Sequence, residues 1–314
     1  MNKTSFKKYV SHVKEKRKSN IDDYYIEKDY FISLFLSTWQ KFRDKGMITA
    51  LDGLIFKGGT LLIRNFLNYP RISEDIDFSY EKSNDLRKII SDTRREKEIK
   101  KVVVPVIDEI KLICDAGGFD FEVDRKNPRY IDVRNSRAVY VLNVYYDSLI
   151  SDEEIPIKIE LNFLEDAIHG CSSSKINDIV EMDLYLRSIG YDLENLILNV
   201  YCLDEIILEK YRAVLTREKL KERDIFDLYL INKDCKDVLK CENRLILRKI
   251  RSSFLISEVA EDNLMKNCEL LQDDVFPGSD DDISLLTLVE IEKEDYDFFK
   301  KQLFNKLRMI CKNI

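Results

Sequence analysis

Asp75 and Asp77 are spaced so that one β-strand would point both carboxylates to the same face, because alternate side chains of a strand share a face. The segment Asp75-Ile76-Asp77-Phe78-Ser79-Tyr80 alternates as such a strand. With Cα atoms about 6–7 Å apart, the two carboxylates can converge on one hard cation, which takes oxygen ligands. Glu160 lies in a second alternating run, 155–163, where Ile155, Ile157, Ile159 and Leu161 mark one face and Lys158, Glu160 and Asn162 the other. Were the two strands neighbours, three ionised carboxylates would repel by about 3–4 kcal/mol per close pair at an intermediate dielectric. A divalent metal resolves that repulsion, and acidic clusters of this kind serve two-metal phosphoryl or nucleotidyl transfer. Lys158, on the face of Glu160, is the alternative functional group of that strand.

Some fifteen residues before the acidic pair, the apolar run 54–56 leads into Lys57-Gly58-Gly59-Thr60 and a helix expected over 60–67. Consecutive glycines let the backbone approach a phosphate, and a helix start offers unpaired N–H donors. Lys57 adds a charge beside them. One site would then hold triphosphate and metal together, the arrangement for in-line attack on an α-phosphate with pyrophosphate leaving. Downstream, Lys210 and Arg217 share a helix face seven residues apart, and Asp224 and Asp227 are i,i+3 neighbours on another helix. Each feature has a plainer reading when taken alone. The acidic pair could be a polar strand edge, the glycines a strand-to-helix link, and the helical charges solvated or paired with each other, with Asp224 favourable near a helix start.

Positioning these groups takes an α/β front half and an all-α back half. Helices are expected over 3–17, 21–45, 60–67 and 84–115, and strands over 54–56, 75–80, 119–123, 138–146 and 155–163. Beyond about residue 180 the patterns are almost only helical, at 183–189, 203–216, 222–232, 236–257, 284–292 and 294–313, with a loop over 273–282 around Pro277-Gly278. The expected fold class is α+β. A domain over 1–180 holds a mixed sheet flanked by helices, and a helical bundle spans 181–314. At 314 residues, two domains also match the usual domain size.

Composition excludes several classes. With 45% apolar residues and only 9 Gly and 5 Pro, extended disorder is ruled out, and no run approaches the length of a membrane span. The first twenty residues are polar, so no secretory signal is expected. Seven cysteines without a C-x-x-C pair read as buried thiols of a reducing compartment, and hence a cytoplasmic location. Two histidines, His12 and His169, are too few for a multi-histidine zinc site or a histidine-driven triad, and His169-Gly170-Cys171 reads as a loop. The net charge of −7 argues against a simple nucleic-acid-coating protein, but it is uneven. Residues 257–298 hold fourteen acidic and two basic side chains, whereas 1–20 hold seven basic and one acidic, and 82–101 eight basic and four acidic. An anionic ligand held by the front part fits this division, as do plain solvated helix faces.

In order along the chain, FKGGTLLIRNF, RISEDIDFSY, IPIKIELNF and LDEIILEKYRAVLTR followed by RDIFDLYLI resemble the AbiEii family of nucleotidyltransferase-like toxins. That family is related to the MenT toxins and to the DNA polymerase β-like nucleotidyltransferases. Glu27-Lys28-Asp29-Tyr30 resembles the family helix that precedes the glycine turn, and the similarity covers roughly 22–232. The resemblance implies a toxin with a separately encoded antitoxin, in systems that can act in abortive infection against phage. It also implies use of NTP and Mg²⁺, with nucleotides added to RNA, which in MenT-like relatives is the 3′ end of tRNA. Carried over by position, Gly58, Gly59 and Thr60 would hold the triphosphate beside Lys57, and Asp75 and Asp77 would ligand metal. Glu160 enters as third ligand by superfamily logic. Lys210 would contact phosphates, Asp224 and Asp227 would shape the base or acceptor side, and Ser73 matches a position that can take up a phosphate. If RNA is the acceptor, the basic segments 1–20 and 82–101 would contact its phosphates. Transfer to a protein or small molecule, and nucleotide binding without turnover, are the alternatives.

Overall fold

The computed structural model describes residues 1–135, 137–191, 193, 196–273 and 287–314. Two capped helices open the chain. Asn2 accepts a hydrogen bond from the Ser5 amide to start α1 (Lys3–Arg17), and Asp22 accepts one from Tyr24 to start α2 (Asp23–Asp44). Strand β1 (Leu54–Lys57) then runs straight into α3 (Gly58–Leu61), whose last turn widens over Leu62–Phe66. Strand β2 (Asp75–Tyr80), the short helix α4 (Ser83–Arg87) and the long α5 (Asp92–Gly117) follow. Next come β3 (Ile131–Arg134), β4 (Val139–Asp147), β5 (Glu154–Asn162), β6 (Cys171–Lys175), α6 (Leu184–Ser188) and β7 (Ile197–Tyr201). Helices α7 (Leu203–Thr216), α8 (Glu222–Asp234), α9 (Asn243–Ser253), α10 (Ala260–Gln272) and α11 (Lys293–Cys311) complete the described chain.

The seven strands form one mixed sheet in the order β3-β4-β5-β2-β1-β7-β6. Its register answers the question the sequence left open, since β2 pairs parallel with β5, Asp75 opposite Lys158 and Asp77 opposite Glu160. On the other side β1 pairs antiparallel with β2, which sets Lys57 opposite Asp77. Ile76, Phe78, Ile159 and Leu161 fill the opposite, buried face. Trp39 of α2 covers that face, its ring 5.2 Å from Phe78. The acidic face is therefore the one left for a ligand.

The α2 residues Glu27, Lys28 and Asp29 brace the sheet from behind. Glu27 accepts from the Ser148 hydroxyl at 2.9 Å, Lys28 holds Glu74 at 3.1 Å, and Asp29 pairs with the buried Arg64 at 2.7 Å. Lys28 thus tethers the residue directly before Asp75.

The fold is α+β, as the alternation of patterns indicates, with differences in detail. Residues 119–123 make only an isolated bridge between Asp120 and Tyr145 rather than a strand. The expected helix over 84–115 is two, α4 and α5, because Ser91 caps a new start through the Arg94 amide. Past residue 180 the chain is not only helical. Strand β7 inserts between β1 and β6, burying Leu198, Val200 and Tyr201. Strand β6, with the sequence Cys-Ser-Ser-Ser-Lys on the sheet edge, has no apolar alternation to betray it. Within the acidic region 257–298, helix α10, which the sequence reading did not place, carries Glu261, Asp262 and Glu269 on its exposed face and buries Leu264, Cys268 and Leu271. Of the helix expected over 284–292 only 287–292 is described, where Thr287 forms a bridge with Arg71, and the loop expected over 273–282 lies outside the described residues after Asp273. The cysteines are not all thiols either. Cys268 and Cys311 form a disulfide across 43 residues, tying α10 to α11 with their Cα atoms 5.5 Å apart. No described helix is long and apolar enough to cross a membrane.

Candidate active site

One cleft on the acidic face gathers Lys57, Gly58, Gly59, Ser73, Asp75, Asp77, Lys158, Glu160, Lys210 and Asp224. These come from β1, the glycine turn, the segment before β2, β2, β5, α7 and α8. The turn is shaped by Gly58. Its φ is +77°, and a β-carbon there would fall 2.1 Å from Asp77 Oδ2, so no other residue fits beside the acidic strand. Gly59 is nearly as close to its neighbours, with a β-carbon position 3.0 Å from Arg71 Nη2 and 3.1 Å from Ser73 Oγ. Backbone, guanidinium and hydroxyl thus meet at one end of the cleft.

Asp75, Asp77 and Glu160 make no side-chain hydrogen bond or ion pair among the described residues. Burial, and after it Glu160, push the Asp77 carboxyl up to about 7 against the pull of Lys57. Such a cluster repels itself unless a cation joins it. As the side chains stand, no three His, Cys, Asp or Glu groups among the described residues are gathered as a metal-binding set. The donor chemistry fits a hard divalent cation, and closing round one requires the carboxylates to rotate toward each other.

Two expected phosphate-holding groups face elsewhere. The Thr60 hydroxyl is buried and donates to the Asp75 carbonyl oxygen, which locks the glycine turn to β2. The Lys57 ammonium turns to Glu209 at 3.0 Å and Glu165 at 3.4 Å. Burial opposes its charge, but the two carboxylates outweigh burial and hold it protonated well above the ordinary lysine range.

Lys210 lies 2.8 Å from Asp224 and 2.6 Å from Asp227, and Arg217 also pairs with Asp224. Asp227 lies behind the cleft, fully buried, where it accepts two hydrogen bonds at 2.8 Å from the Arg71 guanidinium. Asp224 and Asp227 therefore place the cations that face the cleft. Burial would raise the Asp224 carboxyl, yet Lys210 and then Arg217 outweigh it and hold it at about 2. Its ionised form contributes stability above pH 4 that is lost as pH falls toward 2, on the order of 2 kcal/mol in all. Asp224→Asn is therefore expected to flatten urea-unfolding stability between pH 4 and pH 2. An unchanged slope in that interval would contradict the pairing.

The sequence reading passed over Arg71, Arg212 and Arg223, which also line the cleft. Arg71 stands inside the segment RISEDIDFSY, four residues before Asp75, so its position was visible although its direction was not. The Arg212 guanidinium and the Lys158 ammonium have no hydrogen-bond or ion-pair partner among the described residues, and Arg212 Nε is buried. Neither basic segment, 1–20 or 82–101, contributes to the cleft lining.

A mixed sheet that presents an Asp-x-Asp strand beside a glycine turn, faced by lysine and arginine from two following helices, is the site of a nucleotidyltransferase. The chain belongs to the nucleotidyl transferase AbiEii toxin family of type IV toxin–antitoxin systems, whose model matches residues 49–309. The match extends well past residue 232, where the sequence motifs end, and takes in α9, α10 and most of α11. Among solved structures the fold is similar to MenT4, a nucleotidyltransferase toxin from Mycobacterium tuberculosis H37Rv. The TM-score is 0.52 at 19% identity, over 95% of this chain and 89% of that one. JHP933 from Helicobacter pylori matches with a TM-score of 0.42 at 14% identity over 94% of each chain. No curated protein matches the sequence. Membership of a type IV toxin–antitoxin family implies an antitoxin partner.

Proposed function

We propose that the chain transfers nucleotides from an NTP to RNA, the acceptor being the 3′ end of tRNA, inside the bacterial cytoplasm. The observation that carries this reading is the cleft itself, which places three unpartnered carboxylates next to a glycine turn and a wall of cations. Asp75, Asp77 and Glu160 are the residues that would hold Mg²⁺, which when bound neutralises the acidic cluster and polarises the phosphoryl group under attack. Gly58, Gly59 and Ser73, with Arg71 beside them, receive the β- and γ-phosphates, and Lys210 supplies a charge opposite them. Asp224 and Asp227 orient Lys210 and Arg71 rather than touching the base. Thr60 acts through the backbone of Asp75. Ser73, largely buried but in the cleft lining beside Gly59, is the residue that would take up a self-modification, which gives the antitoxin a chemical route to silencing in addition to direct binding.

The test uses purified protein, Mg²⁺, each of the four α-labelled NTPs and total bacterial tRNA. Label entering tRNA with one or two NTPs is the expected result. Label on the protein alone would replace RNA with a protein acceptor, and NTP binding without label anywhere would reduce the chain to a nucleotide-binding partner.

A further inference from the structure

The cleft does not end at the carboxylates. It continues into a second lobe lined by the start of β4, the end of β5, the residues after α7, and the junction between α9 and α10. Lys57, Arg134, Glu160, Arg212 and Arg217 line both lobes, whereas Gly58, Gly59, Ser73, Asp75, Asp77, Lys210 and Asp224 line only the first. The sheet register gives the order of these parts. The glycine turn and Asp75 lie at one level of the strands, and Asp77 and Glu160 at the next. Asn162, opposite Val139, lies one level further on and belongs to the second lobe. Each level is two residues, roughly 6–7 Å along the strand. The second lobe therefore lies beyond the carboxylates on the side away from the phosphate-binding turn.

We infer that this second lobe is the acceptor subsite and takes the 3′-terminal nucleoside of a nucleic acid. The inference rests on the reaction proposed above and adds where its second substrate sits. In-line displacement requires the attacking oxygen and the leaving group on opposite sides of phosphorus. The acceptor's 3′ oxygen forms a bond to the α-phosphorus while the bond from that phosphorus to pyrophosphate breaks. The hydroxyl proton passes to solvent, and pyrophosphate leaves with the bonding electron pair. With pyrophosphate seated at Gly58 and Gly59, attack comes from the far side of Asp77 and Glu160, which is the second lobe. The lining suits a nucleoside and its phosphate. The exposed Val259 offers apolar surface for the flat face of a base, with the largely buried Ile256 and Val139 also in the lining. Arg134 and Lys221 supply positive charge at the rim, and the unpaired Arg212 guanidinium stands at the passage between the lobes.

Val259 is 59% exposed, so a large side chain there fills the lobe without entering the core. The full-length variants Val259→Trp and Lys221→Glu would be compared with the unaltered chain by labelled-NTP transfer across tRNA concentrations, alongside binding of a non-hydrolysable NTP analogue. The inference expects KM for tRNA to rise tenfold or more in each variant, with the analogue's Kd within twofold of the original. Weakened analogue binding with KM for tRNA unchanged would assign the lobe to the NTP base and overturn it. So would unaltered KM in both variants while the parent chain labels tRNA. If the parent chain binds the analogue but transfers to no nucleic acid, the proposed reaction itself fails, and the acceptor assignment goes with it.

Discussion

Asp77→Asn is expected to lower nucleotide transfer by about a thousandfold and, in metal-free buffer near neutral pH, to make the chain harder to unfold. The loss follows from removing one member of the carboxylate set that would hold the cation. The gain follows from electrostatics, because burial and Glu160 push the Asp77 carboxyl up to about 7. A group whose folded pKa is raised contributes stability at acid pH that is lost as pH climbs from about 4 through 7. Metal-free protein should therefore weaken across that range, and the asparagine variant should not. Millimolar Mg²⁺ should raise the Tm of the unaltered chain by ligand linkage and leave the variant's Tm unmoved. Thermal melts with and without Mg²⁺, run beside the transfer assay, test both signs. A variant that loses activity and stability together would make Asp77 a structural residue, and one that keeps transfer would remove it from the site.

The parts of this site that were legible in the sequence are those set by local spacing. An i,i+2 pair on a strand must share a face, and a Gly-Gly turn before a helix must expose backbone amides, so Asp75, Asp77, Gly58 and Gly59 could be placed before any fold was known. Glu160 was half legible. Alternation in 155–163 gave its face, but only the parallel register of β5 against β2, across some eighty residues, sets it opposite Asp77. Side-chain direction was not legible at all. Lys57 and Thr60 stand at the turn as expected, yet one reaches into a buried ionic cluster and the other to a backbone carbonyl. For Asp224 and Asp227 the plainer view, that helical charges pair with each other, describes the contacts they make with Lys210 and Arg217, but not the Arg71 guanidinium that reaches Asp227 from the segment before β2.

The fold followed the same division. Strands with an alternating pattern, β2 and β5, and the long apolar run of β4 were readable within a residue or two. Strand β3, only four residues long, was not readable, and neither were β6, an exposed polar edge, and β7, only five residues long. The placement of β6 and β7 depends on β1 having a free side to pair with, which is a property of the assembled sheet.

The second large effect is on stability. Lys249→Met is expected to destabilise the chain by about 3–5 kcal/mol, the usual cost of leaving buried charge without its partner. The Lys249 ammonium is wholly buried, with Glu205 at 2.7 Å, Glu165 at 2.9 Å, Glu209 at 4.0 Å and the Asp166 carbonyl oxygen at 2.8 Å. Glu165 shows what the cation does. Burial would raise its carboxyl, but Lys249 and Lys57 outweigh burial and hold it well below the ordinary range. Without Lys249, Lys57 is the one ion-pair partner left to Glu165 and Glu209 among the described residues, with the Arg212 charge acting from further off, and Glu205 keeps there only the Ile168 and His169 amides. Against a total stability of roughly 5–15 kcal/mol the loss is large. Urea unfolding would measure it, and a loss below about 1 kcal/mol would contradict the burial of an ionised cluster. Glu165→Gln in the same chain should restore part of the loss, because it removes one of the stranded carboxylates. This cluster joins β1, through Lys57, to α7, through Glu205 and Glu209, and to α9, through Lys249. It therefore fixes how far the helix carrying Lys210 and Arg212 stands from the strand carrying Asp77. The Glu165→Gln double variant should for that reason recover stability more fully than transfer, since the neutral amide relieves charge and Lys57 still holds Glu209, but α7 stays without its tether to α9.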